Sequence, residues 1–148
     1  MLDKIKQLRQ QTGLGVHDIK RALEEAEGDA TEALILLKKW GLDARAKKAS
    51  RTTDQGLIEA YVHQGRLGAL VEVNCETDFV ARNDEFKQFA KEIAMQVASM
   101  GPADVEALLE QEYFRDPTKR VSALVGETVA KLGENIQISR FERFELGQ

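Results

Sequence analysis

The sequence predicts an α+β fold: a three-helix N-terminal unit, then a small antiparallel sheet with helices packed on one face. Three observations lead there. Apolar residues recur at helical spacing through residues 1–40. The period then drops to two over 56–63 and again over 68–75. An amphipathic helical stripe follows at once, and two strands with one apolar face need such a cover.

In the N-terminal unit, Leu2, Ile5 and Leu8 form the first stripe. The run Thr12-Gly13-Leu14-Gly15 interrupts it, because glycines permit backbone angles that a helix forbids. Val16, Ile19, Leu23 and Ala26 form the second stripe, which Gly28 closes. Asp29 followed by Glu32 has the pattern of a capping box, with Asp29 as N-cap. Ala30, Ala33, Leu34 and Leu37 give the third stripe. A unit of this size buries little surface, so it is expected to be of limited stability, with its glycine loop free to meet a partner. Residues 41–55 read as a basic linker. Over 38–51, Lys38, Lys39, Arg45, Lys47, Lys48 and Arg51 stand against Asp43 alone, either as a solvated stretch that can be helical or as a strip for an acidic partner.

Residues 56–148 read as the α+β core. Ile58, Ala60 and Val62 share one face of the first strand, and Ala69, Val71, Val73 and Cys75 share one face of the second. The run 64–67 is the hairpin connection. Asn83 or Asp84 caps the covering helix, whose apolar side is Phe86, Phe89, Ala90, Ile93, Ala94 and Val97, ended by Gly101-Pro102. A shorter helix is expected over 103–111, and a turn at Asp116-Pro117. Val121, Leu124, Val125, Val129 and Leu132 mark a further helix, ended by Gly133. Over 135–146, Ile136, Ile138, Phe144 and Leu146 at even positions predict a long third strand.

Composition narrows the function. Of 148 residues, 43% are hydrophobic and 31% charged, as in a soluble globular protein. The net charge of −4 disfavours nucleic acid and anionic membranes as direct partners. The one cysteine cannot form an intrachain disulfide, the N-terminus is polar, and no apolar run nears the ~20 residues of a membrane span. A cytoplasmic protein is expected. His17 starts a helix and His63 ends a strand, so both read as surface residues, while Cys75 reads as a small buried hydrophobe. There is no zinc spacing, and Gly13-Leu14-Gly15 lacks the rest of a phosphate loop. No enzyme activity, metal or cofactor is expected.

What stands out is the connection 74–83, where Asp78 and Phe79 lie between Thr77 and Val80. Either Phe79 and Val80 fold into the core, or they form an apolar wedge beside a carboxylate, as binding anchors on rigidly held loops do. This stretch resembles the signature of the elongation factor Ts family around its Thr-Asp-Phe-Val core. Collinear motifs agree: Thr12-Gly13-Leu14-Gly15 with the following helix through Leu23, Gly28-Asp29, Ala46-Lys47-Lys48-Ala49, the run 131–136, and Arg143-Phe144-Glu145-Leu146-Gly147.

The resemblance implies a ubiquitin-associated-type N-terminal domain that binds elongation factor Tu, with Leu14, Val16 and His17 as contacts. It implies that Thr77, Asp78, Phe79 and Val80 act near the nucleotide site of GDP-bound Tu and dislodge its Mg²⁺. GDP then leaves and GTP can bind. Longer family members carry extra core residues between the 86–100 helix and the C-terminal part, which 101–113 bridges here. Related short forms dimerise, so a homodimer through the sheet is expected. The rival function is an adaptor that binds through its N-terminal helices without promoting exchange.

Overall fold

The computed structural model describes residues 2–148. Helices α1 (Leu2–Thr12), α2 (Val16–Glu25) and α3 (Ala30–Lys48) come first. Strands β1 (Gln55–His63) and β2 (Leu67–Cys75) follow, then the short α4 (Asp78–Ala81) and the long α5 (Asp84–Met100). Helix α6 (Val105–Glu110) leads into a small ribbon, β3 (Glu112–Tyr113) and β4 (Asp116–Arg120). Helix α7 (Val121–Leu132) and strand β5 (Gln137–Glu145) complete the chain. The fold is α+β, with the antiparallel sheet ordered β1-β2-β5 and the helices on one of its faces.

The predicted boundaries rest on local chemistry that the structure displays. Asp29 caps α3, its carboxylate accepting from the Thr31 and Glu32 amides. Asn83 caps α5 by accepting from the Glu85 amide at 2.7 Å. Gly101 and Gly133 close α5 and α7 in the left-handed conformation, where a side chain would be strained.

Two hydrophobic clusters result. Leu8, Leu14, Ile19, Leu23 and Leu37 form the smaller one within α1–α3. The larger one joins Val71, Val73 and Cys75 of the sheet to Phe86, Phe89, Ile93 and Val97 of α5, and to Val121, Val125 and Val129 of α7. The helical unit is seated on the core through α3. That helix does not end near Trp40: the stretch read as a linker is helical as far as Lys48. Alanine, lysine and arginine all favour helix, and Gly41, which does not, is held by its close packing on the α7 backbone at Gly126. Ala44 packs on the larger cluster, and Trp40 lies partly buried on the smaller one with the Arg21 guanidinium 4.0 Å over its ring.

Three expectations about the core are corrected. The Ile58, Ala60, Val62 face of β1 is not the packed one. Leu57 and Tyr61 face the helices, and Ile58, Ala60 and Val62 are exposed on the opposite side. The cause is the turn. Only Gln64, Gly65 and Arg66 lie between the paired His63 and Leu67, with Gln64 and Gly65 both at positive φ. A register one residue longer would have reversed the face of the whole strand.

The even positions of β5 also fail to hold one face. Ile138 is buried but Phe144 is exposed, because Ser139 is an extra residue opposite the Glu72–Val73 step. That bulge shifts the alternation by one, so Phe141 joins the core and Phe144 faces outward. Finally, the turn near Asp116-Pro117 falls one step earlier, at Phe114-Arg115, and Asp116 and Pro117 open β4. Proline is tolerated at the start of an edge strand.

The ribbon is held by polar groups on α5. Gln96 is fully buried, donating to the Glu112 carbonyl at 3.0 Å and accepting from the Phe114 amide at 2.9 Å. The Glu92 carboxylate accepts from the Tyr113 hydroxyl at 2.7 Å, from Gln88 at 2.9 Å and from the Arg115 guanidinium. Burial alone would raise the Glu92 pKa, but the hydrogen bonds from Arg115 and Tyr113 outweigh it and the net shift is downward. Among the described residues, no buried side-chain nitrogen or oxygen lacks a partner.

Candidate partner-binding site

The connection between β2 and α5 is a single helical turn, α4, clamped at each end. At its start, Thr77 has extended backbone angles, and its hydroxyl accepts from the Val80 amide at 3.3 Å. The same hydroxyl donates to a Glu134 carboxylate oxygen at 2.7 Å. The other Glu134 oxygen accepts from the Glu76 amide at 3.1 Å and the Thr77 amide at 3.0 Å. Just before, the Cys75 thiol donates to the Thr77 carbonyl at 3.2 Å. Burial, with Glu134 as a secondary cause, pushes that thiol up to about 11, so it stays protonated and unreactive. At the far end, Asn83 caps α5 directly after Arg82.

This clamp separates two adjacent side chains. Val80 is 5% exposed and packs in the larger cluster, whereas Phe79 is 79% exposed, the most exposed large hydrophobic residue among the described residues. Of the two sequence alternatives, Val80 follows the core reading and Phe79 the projecting one. Asp78 is also exposed and pairs with Arg82 one turn on, at 2.8 Å. A pair so solvated holds the carboxylate only weakly. An apolar ring and a carboxylate therefore stand side by side in solvent on a rigid base.

The N-terminal candidates divide. Leu14 is buried in the smaller cluster and shapes the loop from inside. Val16 is 44% exposed and His17 is exposed, both in the first turn of α2. Gly13, at φ +69°, lies against the Lys131 side chain of α7.

Two residues of the site were not singled out in advance. Glu134 gathers the 76–77 amides, and the neighbouring Asn135, 1% exposed, donates to the Arg51 carbonyl at 2.8 Å. Both lie in the 131–136 motif, so a signal existed. Their partners, 57 and 84 residues away in the chain, were not readable from it. Among the described residues, no group of three or more His, Cys, Asp or Glu side chains is placed to hold a metal, and no helix is long and apolar enough to cross a membrane.

Taken together, these features define an α+β protein that holds an aromatic and a carboxylate side by side in solvent on a pinned turn. Residues 76–148 match the sequence model of the family described as Elongation factor TS. The chain is 44% identical over 190 positions to Elongation factor Ts of Thermoanaerobacter sp. (strain X514), covering 97% of this chain and 93% of that one. It is 44% identical over 191 positions to Elongation factor Ts of Thermotoga maritima, covering 99% and 96%. With the protein of the same name from Carboxydothermus hydrogenoformans, identity is 42%, covering 97% and 88%. The chain belongs to the elongation factor Ts family, and so to the translation elongation factors. The alignments run over more positions than the 148 residues present here, so these relatives carry residues with no counterpart in this chain.

Proposed function

We propose that the protein is a guanine nucleotide exchange factor that binds GDP-bound elongation factor Tu and speeds GDP release. The observation that carries this reading is the pinned turn, with Phe79 projecting while its neighbour Val80 is buried. GDP is held largely through phosphate charge, offset by Mg²⁺ and backbone donors. An aromatic wedge can displace the elements that hold the metal, and Asp78 can compete for polar contacts at the same place. With Mg²⁺ dislodged, phosphate charge is poorly compensated and GDP leaves faster.

The coupling is reciprocal: the factor by which this protein weakens GDP is the factor by which GDP weakens this protein. Each tenfold weakening requires ~1.4 kcal/mol of differential binding. Exchange has no built-in direction, and excess GTP sets it. On this reading Val16 and His17 add binding strength through the helical unit, and the Phe79 turn carries the exchange.

Stopped-flow release of fluorescent GDP from the cognate Tu, with and without this protein, tests the reading. Faster release is expected. Binding to Tu with an unchanged GDP off-rate would make the protein an adaptor instead.

A further inference from the structure

We propose that Glu134 is a positioning residue for exchange, holding the turn that aims Phe79 without itself meeting the partner. The inference rests on the reading that residues 77–80 carry exchange.

Helix α4 has four residues, far below the length at which a helix sustains itself in water. Its own side-chain cap, the Thr77 hydroxyl to the Val80 amide, is long at 3.3 Å. What fixes Thr77 is Glu134, which takes three donors from two consecutive residues, all within 3.1 Å. A carboxylate accepting such bonds holds its donors about twice as strongly as a neutral acceptor would.

Glu134 is itself immobilised from both sides. Gly133 before it ends α7 in the left-handed conformation. After it, Asn135 is bonded to the Arg51 carbonyl and Ile136 is buried in the core. The carboxylate is therefore a fixed post against which the 76–77 backbone is tied. Val80 and Ala81 pin the far side of α4 to the core. Between the post and the core, the direction of Phe79 is set before any partner arrives. Without the post, the Glu76 and Thr77 amides lose their acceptor and the Thr77 hydroxyl is free to rotate. A partner would then have to order the turn while using it, so the competent fraction of bound complexes would fall.

The test uses the full chain and three substitutions: Glu134→Ala, Glu134→Gln and Thr77→Val, with Phe79→Ala as reference. GDP release from Tu is followed across factor concentration, giving a maximal rate and a half-saturating concentration. Amide hydrogen exchange at Glu76, Thr77 and Val80 is measured on the free protein.

Glu134→Ala should lower the maximal rate about tenfold, equivalent to ~1.4 kcal/mol, with the half-saturating concentration little changed. It should also speed exchange at those three amides alone. Glu134→Gln keeps an acceptor oxygen and should recover most of the rate. In a Thr77→Val background, Glu134→Ala should cost less than it does alone, because both act through one contact. A normal maximal rate for Glu134→Ala, or a change confined to half-saturation, would overturn the inference while a slow Phe79→Ala left the wedge standing. A normal rate for Phe79→Ala would overturn both. If Glu134→Ala fails to fold, Glu134→Gln decides: it must show faster amide exchange at this turn and a measurably lower maximal rate, or the inference fails.

Discussion

Gly126 on α7 lies so close to Gly41 on α3 that a Cβ at position 126 would stand 2.9 Å from the Gly41 carbonyl oxygen. The two helices cross at this point, which seats the helical unit on the core. Alanine in place of a mid-helix glycine ordinarily gains about 1 kcal/mol from helix propensity. Here the obstacle is backbone and cannot swing aside, and overpacking costs roughly 1–3 kcal/mol. Gly126→Ala is therefore expected to be destabilising on balance. Gly41→Ala should be milder, since its Cβ would meet the Gly126 backbone at 3.3 Å. Urea denaturation measures both, and a higher midpoint for Gly126→Ala would contradict the crossing.

Phe79→Ala and Asp78→Ala should slow Tu-bound GDP release while leaving the fold intact. Phe79 contributes almost no burial to the monomer, so its truncation should leave the melting temperature nearly unchanged. A central aromatic anchor is commonly worth ~2 kcal/mol or more of interaction with a partner. The loss should therefore appear in exchange. Asp78→Ala should act in the same direction, and the weak, exposed pair with Arg82 predicts little effect on stability. The check pairs stopped-flow release with thermal unfolding. A large fall in melting temperature for Phe79→Ala would show that the ring packs after all.

Val16→Asp and His17→Ala should raise the concentration of factor needed for half-maximal GDP release, leaving the saturated rate close to normal. Both side chains are exposed at the start of α2, on a different element from the Phe79 turn. Leu14→Ala belongs to another class, because Leu14 is buried and its truncation should cost roughly 2–5 kcal/mol of stability in a small cluster. A lower saturated rate in Val16→Asp would show that the helical unit does more than bind.

Acid should loosen the β3–β4 ribbon through Glu92. Its carboxyl titrates below its ordinary range in the folded state. Its stabilisation is thus fully present above the unfolded pKa of about 4.3 and is lost as pH falls through the lower folded value. Glu92→Gln should remove that part of the pH dependence. Glu92→Ala, which strands the Tyr113 hydroxyl, should cost about 2 kcal/mol at neutral pH. Denaturation midpoints between pH 3 and pH 7, the span set by ordinary carboxylate titration, provide the measurement. Identical acid profiles for wild type and Glu92→Gln would exclude this carboxyl as the source.

What the sequence revealed followed the range of each interaction. Asp29, Asn83, Gly101 and Gly133 act within a few residues, so the helix ends were legible. The stripe from Phe86 to Val97 was legible because one helical period governs it. The packed face of β1 was not, because both faces carry apolar side chains and a single turn residue chooses between them. The Ser139 bulge likewise reset β5 by a count that only strand pairing reveals. Phe79 and Val80 are neighbours of similar chemistry with opposite fates, in a turn that is tied to a carboxylate 57 residues beyond Thr77.

The same one-residue register leads to the last prediction. By turning Ile58 and Val62 outward, it places them with Leu70 and Phe144 on the bare face of the sheet, all of them exposed. Contiguous apolar surface of this kind commonly marks an interface. Of the charges on that face, Arg140 pairs with Glu72 at 2.8 Å, while Glu142, opposite Leu70, has no ion pair among the described residues and works against close contact. Arg143 is turned toward the helices, donating to the Ala98 carbonyl at 3.0 Å. A homodimer is therefore expected to form face to face rather than through the β5 edge. Three strands ~30 Å long and ~5 Å apart offer roughly 400 Å² per copy. Stable interfaces use about 800 Å² per partner, so the dimer should be weak, with a dissociation constant on the order of tens of micromolar. Leu70→Glu, at the centre of the face, should abolish it without unfolding the chain. Sedimentation equilibrium across that range decides the matter: a monomer throughout, for wild type as for Leu70→Glu, would mean that this face is left bare or meets a different protein.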